Sequence, residues 1–471
     1  MNFNNLEGVD YDSLVNENGG GRVGPDKNKE FIFLIIIITI STMCLGLIIY
    51  LFIDYIKQPK YDDGSRDPIN SFYGCMCDAG SSGTRVSVYR WPERKKNTIP
   101  ILTEVGRKRK EPGIHQMDEA KIEETMNELI NFCKNNISAL TFNRKNLSEV
   151  NFYLKSTAGM RSISKEEQNK KLDIIRNTIK KSKLKFLNDI WVKVIDGSEE
   201  GLFGWIDVNY LNKILFNNEN AGKQVEMPYG SIDLGGYSLE ITFSTNETIK
   251  EHNINLNLSE VNYSLYSYSY QDYGQTRFYE ILMEYIIKKY SEQHENSNII
   301  ENPCYLEGYK ETYKLKNINY TIEGKTDTSL CQEYIKHTMN ISSDKPMNNI
   351  YQPKIPENIK FYGISGLYWI ANFFKITDNN FHSASELLKA TEEWCKKKWN
   401  DAIKEYENSK NHDKRHLKKY CALGYYVYYF LVDGFKIDKN KKILNFPRKI
   451  GKDEVGWTLG AMSYEIGLLP L

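Results

Sequence analysis

The sequence predicts an α/β fold made of two duplicated lobes that face one cleft. Its 471 residues exceed the length at which a single hydrophobic core usually stops growing. Strand-like alternation over Val86–Trp91 and helical spacing of apolar residues over Asp118–Asn135 are typical of proteins in which strands and helices alternate. A glycine-rich turn that follows Asp78 occurs again after Asp233, so the chain contains an internal repeat on the scale of a domain.

Two further helices are predicted in the second half of the chain. The spacing of apolar residues indicates a helix over Arg277–Tyr290. Ser383 and Glu386 have the spacing of a capping box, which predicts the start of a long helix that continues through Tyr406.

The N-terminal region contains one long apolar segment. Phe31–Ile53 carries no charged residue and is long enough to cross a bilayer as a helix. It is longer than the apolar part of a secretory signal, and no small-residue cleavage site precedes Asp54. The alternative is a buried core helix, although such helices rarely lack polar residues over this length. We therefore expect a membrane anchor that crosses once, preceded by a polar tail (1–30) and followed by a stem (54–70).

The charges beside this segment do not set its orientation, because Lys and Arg residues are equally frequent close to both ends. The chain has eight cysteines, and two pairs of similar spacing, Cys304 with Cys331 and Cys395 with Cys421, lie beyond the segment. Each pair could close a modest loop as a disulfide or remain as reduced, buried thiols. Glycosylation sequons follow the segment at Asn136, Asn146, Asn246, Asn257, Asn262, Asn319 and Asn340. Together these features favour a type II protein whose large domain lies in the secretory-pathway lumen or outside the cell.

The glycine turns, rather than the overall charge, indicate the ligand. The formal net charge of +1 gives no general attraction for nucleic acid, and we expect no such partner. Glycine and small hydroxyl residues let backbone N–H groups approach a phosphate closely. An acid at the base of such a turn can hold a hydrated divalent ion against phosphate oxygens. Ordinary hairpins use the same residue types, but the matched pair after Asp78 and Asp233 favours a phosphate site.

Longer stretches around these turns resemble one protein family. Five blocks and a C-terminal stretch occur in the order found in the apyrase, or nucleoside triphosphate diphosphohydrolase, family: Asp78–Arg85, Ser156–Arg161, Glu199–Leu211, Asp233–Ile241, Phe361–Trp369 and Trp457–Met462. The resemblance implies an actin-like fold, in which two ribonuclease H-like lobes enclose the nucleotide in an interlobe cleft. We place the N-terminal lobe at 71–197 with 448–471, and the C-terminal lobe at 198–447.

The resemblance also implies a role for each matching residue. Glu200 would be the general base that takes a proton from the attacking water. The other catalytic residues would be Ser238, which holds the water, Thr157, which lines the phosphate site, and Arg161, which stabilises charge. Asp78 and Asp233 would position Ca²⁺ or Mg²⁺ through water. The phosphates would be bound by Gly80, Ser81, Ser82, Gly83, Thr84, Arg85, Gly235, Gly236 and Tyr237.

The nucleobase site and the disulfides are implied in the same way. Aromatic residues sandwich the base in this family, and Trp369 and Tyr426 occupy matching stretches. Stacking tolerates every base, because each base has a π face. Both residues could instead be core aromatics in a chain with 33 tyrosines. The family pattern makes disulfides of Cys304–Cys331 and Cys395–Cys421, and it assigns no partner to Cys75, Cys77 or Cys133.

Two departures from the family pattern leave a second function open. Tyr237 stands where a small residue is usual, so its ring would either crowd the phosphate turn or point into the lobe. Glu240 replaces the usual Gln, and the extra carboxylate would bind metal or water, or raise the pKa of a neighbouring acid. We therefore expect a hydrolase of nucleoside tri- and diphosphates, with a nucleotide-binding protein that has lost turnover as the alternative. A phosphotransferase would need an acceptor pocket that the sequence does not indicate.

Overall fold

The computed structural model describes residues 27–57, 69–93, 101–215, 227–258, 261–294, 297–341, 347–378, 380–407 and 414–467. The chain forms two compact units, Met1–Lys60 and Tyr61–Leu471. The first unit contains helix α1 (Lys27–Lys57), which includes the predicted anchor segment. In the described part of the chain, no helix combines the length and the apolarity that a membrane crossing requires.

The second unit contains strands and helices in alternation. Its described strands are β1 (Phe72–Ala79), β2 (Thr84–Trp91), β3 (Thr103–Lys110), β4 (Asn151–Ser156), β5 (Val192–Val194), β6 (Gly230–Leu234), β7 (Ser238–Ser244), β8 (Asn253–Leu258), β9 (Val261–Gln271), β10 (Ile299–Asn302), β11 (Lys310–Leu315), β12 (Ile318–Gly324), β13 (Phe361–Ser365), β14 (Leu444–Asn445), β15 (Lys449–Ile450) and β16 (Asp453–Glu454). Its described α-helices are α2 (Glu119–Leu140), α3 (Ala158–Arg161), α4 (Lys165–Lys181), α5 (Gly197–Leu211), α6 (Gln275–Gln293), α7 (Thr328–Thr338), α8 (Gly366–Phe373), α9 (Ala384–Cys395), α10 (Trp399–Glu407), α11 (Tyr420–Tyr429) and α12 (Thr458–Glu465).

Two mixed sheets share one plan. The first sheet has the order β3-β2-β1-β4-β5, and the second has the order β8-β9-β7-β6-β13-β14. In the first sheet, β1 pairs antiparallel with β2 and parallel with β4. In the second sheet, β6 pairs antiparallel with β7 and parallel with β13 in the same way. The repeated order and strand directions agree with two duplicated α/β lobes, whereas the exact lobe boundaries stay a prediction.

The first sheet is covered by helices on both faces. Alternate residues of β1 point to opposite faces, so Cys75 and Cys77 pack against α2, and Met76 packs towards α5 and α12. Helix α5 also contacts β6, β7 and β9, and it therefore lies between the two sheets. Because α5 is enclosed in this way, all its residues from Glu200 to Tyr210 are buried.

The core of the second sheet is closed by helices and two disulfides. Strands β6, β7 and β13 pack with residues of α6, α8 and α11 in one continuous apolar cluster. Cys304 is bonded to Cys331 in α7, and Cys395 at the end of α9 is bonded to Cys421 in α11. The thiols of Cys75, Cys77 and Cys133 are free and buried.

The structure changes one predicted helix. Ser383 and Glu386 form the capping box that the sequence predicts at the start of α9. The expectation of one helix through Tyr406 is wrong, because α9 ends at Cys395 and α10 begins at Trp399. The amide of Trp399 donates to the carbonyl of Glu307 at 2.9 Å, so a tertiary contact takes the hydrogen bond that a continuous helix would use.

Candidate active site

Two aspartates occupy equivalent places at the ends of the central strands. Asp78 is the second-last residue of β1 and Asp233 is the second-last residue of β6, and both are buried. Arg85 Nε lies 3.1 Å from Asp78 Oδ2, while Asp78 Oδ1 is buried without a hydrogen-bond partner among the described residues. The hydroxyl of Ser365 donates to the Asp233 carboxylate. Each acid therefore stands directly before a glycine turn, as the sequence predicts.

The two glycine turns meet between the sheets. A Cβ atom added to Gly236 would overlap Ser81 Oγ, so the second turn approaches the first as closely as glycine permits. A Cβ atom added to Gly159 would lie 2.9 Å from Ser81 Cα. The start of α3 therefore lies against the first glycine turn as well. Gly235 N donates to Ser238 O at 3.0 Å and closes the second turn.

Arg161 and Glu200 lie beside these turns and face each other. Arg161 Nη1 and Nη2 both donate to Glu200 Oε2 at 3.1 Å. Nη2 also donates to Ser238 Oγ at 3.3 Å, and it lies 3.7 Å from Glu240 Oε1. The structure thus brings together three of the four predicted catalytic residues. The fourth, Thr157, is buried at the end of β4, and its amide donates to Ala79 O at 3.2 Å.

Burial and crowding raise the pKa of every acid in this cluster. The pKa of Glu200 is raised well above its ordinary value by burial and by the negative charge of Glu240, and Arg161 opposes the shift. Burial, followed by the charge of Glu240, raises the pKa of Asp233 to about 7. Burial also raises the pKa of Asp78 and of Glu240, with a nearby arginine opposing each shift. A buried carboxyl whose pKa is shifted by its neighbours marks a candidate functional residue.

The first turn is held by a residue that sequence reasoning missed. Arg109 Nη2 donates to the carbonyl and to the hydroxyl of Ser82, at 3.3 and 3.2 Å. Gly83 packs closely against the same side chain, since an added Cβ would lie 2.9 Å from Arg109 Nε. The run of four basic residues at the end of β3, Arg107–Lys110, was the available signal, but nothing in the sequence alone pairs that strand with this turn.

Ser365 is a second residue that sequence reasoning missed. It joins β13 to α8 with φ 57° and ψ −116°, a backbone conformation that is strained for a residue with a side chain. The backbone of the next residue, Gly366, lies close to the end of β6, because an added Cβ would lie 2.7 Å from Leu234 O. This junction lets the Ser365 hydroxyl form a hydrogen bond with the Asp233 carboxylate. In the sequence, the Gly363-Ile364-Ser365-Gly366 stretch of the fifth block could have indicated this turn.

The ring of Tyr237 bridges the two sheets. It lies edge-on to the ring of His115, with 5.5 Å between centroids, and its hydroxyl is hydrogen-bonded to the side chain of Gln116. His115 and Gln116 belong to the segment that follows β3. The ring therefore points across the interface between the sheets, a direction that neither sequence alternative specified.

The two aromatic residues predicted for the base differ in exposure. Trp369 is 52% exposed in α8, and the guanidinium carbon of Arg448 lies 5.8 Å from its ring centroid. Tyr426 is fully buried, and its ring stacks on Phe278 with 3.8 Å between centroids. Its hydroxyl donates to the carbonyl of Tyr273. Because packing occupies the ring of Tyr426, the structure favours its alternative role as a core aromatic.

The carboxylates suit a hard divalent cation that is bound through water. Oxygen donors of this kind are the ones that Ca²⁺ and Mg²⁺ prefer. Asp78 Oδ1 and Glu240 Oε2 are buried oxygens that have no hydrogen-bond partner in the part of the chain that the structure describes, so a hydrated cation would satisfy them. Within the described ranges, no three His, Cys, Asp or Glu side chains converge to ligate a metal directly. The unpartnered oxygens fit a hydrated cation, and the roles of Asp78 and Asp233 towards it stay a prediction.

The fold and the site define a two-lobed α/β protein in which two glycine turns and a cluster of buried carboxylates lie between the two sheets. Comparison with known proteins identifies the family. The family model of the GDA1/CD39 (nucleoside phosphatase) family matches residues 65–470, and the chain belongs to this family. It is accordingly a nucleoside phosphatase.

Individual relatives agree with this membership. The chain is 29% identical over 434 residues to ectonucleoside triphosphate diphosphohydrolase 8 of Gallus gallus, covering 86% of this chain and 84% of that protein. It is 29% identical over 433 residues to ectonucleoside triphosphate diphosphohydrolase 1 of Bos taurus, covering 84% and 81%. A crystal structure of nucleoside triphosphate hydrolases from Neospora caninum is similar with a TM-score of 0.62 at 15% identity, covering 91% of this chain and 96% of that chain. At this level of sequence identity, the similarity to that structure shows a shared fold alone.

Proposed function

We propose that the protein hydrolyses the terminal phosphoanhydride bond of nucleoside tri- and diphosphates, with Glu200 as the general base. The observation that carries the proposal is the position of Glu200. Its carboxylate is buried and accepts from Arg161 Nη2, which also donates to Ser238, the residue that closes the second glycine turn. Membership of the nucleoside phosphatase family supports the reaction class.

The geometry supports a direct attack by water. Glu200 accepts a proton from water as the water oxygen bonds to the terminal phosphorus, and the bridging P–O bond breaks. The products are orthophosphate and a nucleotide that is shorter by one phosphate. Ser238 and Arg161 border the place where the water must lie, and Arg161 also faces the charge that develops on the phosphoryl oxygens.

The glycine turns account for phosphate binding. Backbone N–H groups of Gly80–Gly83 and of Gly236–Tyr237 would approach a phosphate closely, because the glycines of the two turns have no side chain in the way. Asp78 and Asp233 would hold Ca²⁺ or Mg²⁺ through water, and the cation would supply positive charge to the phosphate oxygens when bound. Asp78 Oδ1, which has no partner among the described residues, is the atom that best supports this assignment.

A nucleobase would stack on Trp369. The ring is half exposed on α8, and this helix follows directly after Ser365, which binds Asp233. A stacking site of this kind accepts purines and pyrimidines alike, because every base has a π face.

The second candidate is a nucleotide-binding protein that has lost turnover, and Glu240 is the observation that favours it. Its carboxylate lies 3.7 Å from Arg161 Nη2 and competes with Glu200 for the same guanidinium. In this case the purified protein would bind nucleotide and release no phosphate. Phosphate release from ATP, ADP, UDP and GDP with Ca²⁺ or Mg²⁺ separates the two functions.

Membrane attachment through Phe31–Ile53 is a further part of the proposal. This segment has no charged residue and is long enough to cross a bilayer as a helix. Both disulfides suit an oxidising compartment, in agreement with a type II orientation. Protease protection in intact cells, with and without detergent, tests this orientation.

The test of the base assignment compares two adjacent glutamates. Glu200→Gln should lower kcat by roughly 10²–10⁴-fold while nucleotide binding persists, because the amide cannot accept the proton. Glu199→Gln is the matched control, since Glu199 pairs with Lys193 at 2.6 Å and is partly exposed. Full turnover in the Glu200 variant would show that another group is the base.

A further inference from the structure

The side chain of Gln271 connects the second sheet to the short helix that carries Arg161. Gln271 is the last residue of β9, and its Cα pairs with that of Ser238. Its Oε1 accepts from Arg161 Nε at 3.3 Å, and its Nε2 donates to Ala158 O at 3.5 Å. Ala158 and Arg161 are the first and last residues of α3. One amide group therefore holds both the backbone and the side chain of this helix.

The hydrogen bonds of Arg161 show why this contact matters. A guanidinium has five N–H donors in a fixed plane. Nη1 donates to Ile195 O and to Glu200 Oε2, and Nη2 donates to Glu200 Oε2 and to Ser238 Oγ. The remaining donor, Nε, points at Gln271. Because every N–H group of the guanidinium has an acceptor, its plane is held in one orientation. Gln271 supplies the acceptor on the Nε side of that plane.

One further acceptor, the Glu240 carboxylate, competes for the same guanidinium. Glu240 Oε1 lies 3.7 Å from Arg161 Nη2 and accepts from Ser269 Oγ at 2.7 Å. A rotation of the guanidinium away from Gln271 would bring Nη2 nearer to Glu240 and draw it from Glu200. The amide of Gln271 opposes this rotation without adding another negative charge to the cluster.

We propose that Gln271 is a positioning residue for the hydrolytic reaction: it orients Arg161 across the interface between the sheets, so that Arg161 holds Glu200 towards the water beside Ser238. This inference rests on the proposed function, in which Glu200 is the base. Gln271 itself contacts neither Glu200 nor Ser238 through its side chain in the hydrogen bonds described above, and it acts only through Arg161.

The experiment uses the full-length chain and compares variants of one side chain. Gln271→Met keeps the length of the side chain and removes both hydrogen bonds, and Gln271→Glu keeps an acceptor for Arg161 Nε. We expect Gln271→Met to lower kcat about tenfold with KM within about twofold, because the interaction affects the reacting groups more than substrate binding. Gln271→Glu should recover only part of the lost kcat, because its carboxylate accepts from Arg161 Nε but adds negative charge and cannot donate to the carbonyl of Ala158. Gln352→Met is the control, since the Gln352 amide donates only to the carbonyl of Phe435 among the contacts described.

A double-mutant cycle separates positioning from general stability. In an Arg161→Lys background, Gln271→Met should have less than about a twofold further effect on kcat, because the lysine has no Nε–H donor at that place. An additive tenfold loss in this background would overturn the proposal, as would unchanged kcat in the single Gln271→Met variant.

A measurement that does not require catalytic activity tests the role of Gln271 separately from the proposed function. Hydrogen exchange of residues 156–163, measured without nucleotide, should be faster in Gln271→Met than in the unsubstituted protein, because Ala158 loses its tie to β9. Unchanged exchange would contradict the role of Gln271 even in a protein that releases no phosphate. Absence of phosphate release from the unsubstituted protein would instead refute the proposed function.

Discussion

Ser81 and Gly236 lie against each other, although they belong to glycine turns of different sheets. A Cβ atom on Gly236 would overlap the Ser81 hydroxyl, and it would lie 3.6 Å from Thr276 Oγ1. The contact is possible only because position 236 has no side chain. It brings into contact the two glycine turns whose backbone N–H groups we propose as phosphate ligands.

The first prediction concerns this contact. Gly236→Ala should raise KM for a nucleotide by roughly 10- to 100-fold, the equivalent of one lost hydrogen bond to a charged group, because the Ser81 hydroxyl must turn away. The fold should persist, since the overlapping atom is the end of a flexible side chain. Steady-state kinetics and a melting curve measure the two effects.

Two other glycines serve as references for this variant. Gly274→Ala should reduce stability, because its Cβ would overlap the backbone of Gly236 and Tyr237, which cannot move aside locally. Gly456→Ala should be neutral, because nothing lies within 4 Å of its added Cβ. An unchanged KM in Gly236→Ala would mean that phosphate does not bind between the turns.

The second prediction concerns pH. Burial and the charge of Glu240 raise the pKa of Asp233 from 3.8 to about 7. The folded protein therefore keeps a proton between about pH 4 and pH 7 that the unfolded chain releases, and its stability falls as pH rises through this range. Asp233→Asn cannot titrate, so its stability should decline less steeply between pH 4.5 and 7.5.

Denaturant unfolding with a chelator present measures these slopes. Asp272→Asn is the control, because the Asp272 side chain is 55% exposed beside Arg277. Equal slopes in the Asp233 variant and in the unsubstituted protein would show that this carboxyl is ionised throughout the range.

The third prediction concerns the base. Trp369→Ala should raise KM for nucleotides by roughly 5- to 100-fold, which corresponds to about 1–3 kcal/mol for one stacked base, with kcat nearly unchanged. Trp369→Phe should retain most of the affinity, because it keeps a π face. Hydrolysis of inorganic tripolyphosphate, which has no base, should be unaffected.

Leu187→Ala is the reference for this variant, because Leu187 is 66% exposed and lies in the first sheet's lobe. If Trp369→Ala changes kinetics equally for tripolyphosphate and for nucleotides, the tryptophan acts on the phosphates or on the fold rather than on the base.

Much of the site could be predicted from sequence, because its parts are local. The turns after Asp78 and Asp233 are short stretches whose glycines and acids have a direct chemical meaning. The capping box of Ser383 and Glu386 is equally local, and it is present. The continuation of that helix through Tyr406 could not be judged, because the contact that ends it comes from Glu307, far away in the chain.

The same limit applies to the residues around Arg161. Gln271, Arg109 and Ser365 each touch a predicted site residue, but the contacting partners, Arg161, Ser82 and Asp233, lie 110, 27 and 132 residues away in the chain. Tyr426 shows the opposite case: the aromatic residue matches a family stretch, but stacking on Phe278 places it in the core.

The sequence by itself determined the α/β class, the duplicated glycine turns and the acids that precede them, since these depend on residue type and short-range spacing. Only the tertiary structure decided which side chains hold Arg161 against Glu200, and which aromatic ring stays open to a base. The physical reason is that hydrogen bonding and burial depend on distances between strands and helices, and the packing of the two sheets around α5 sets those distances.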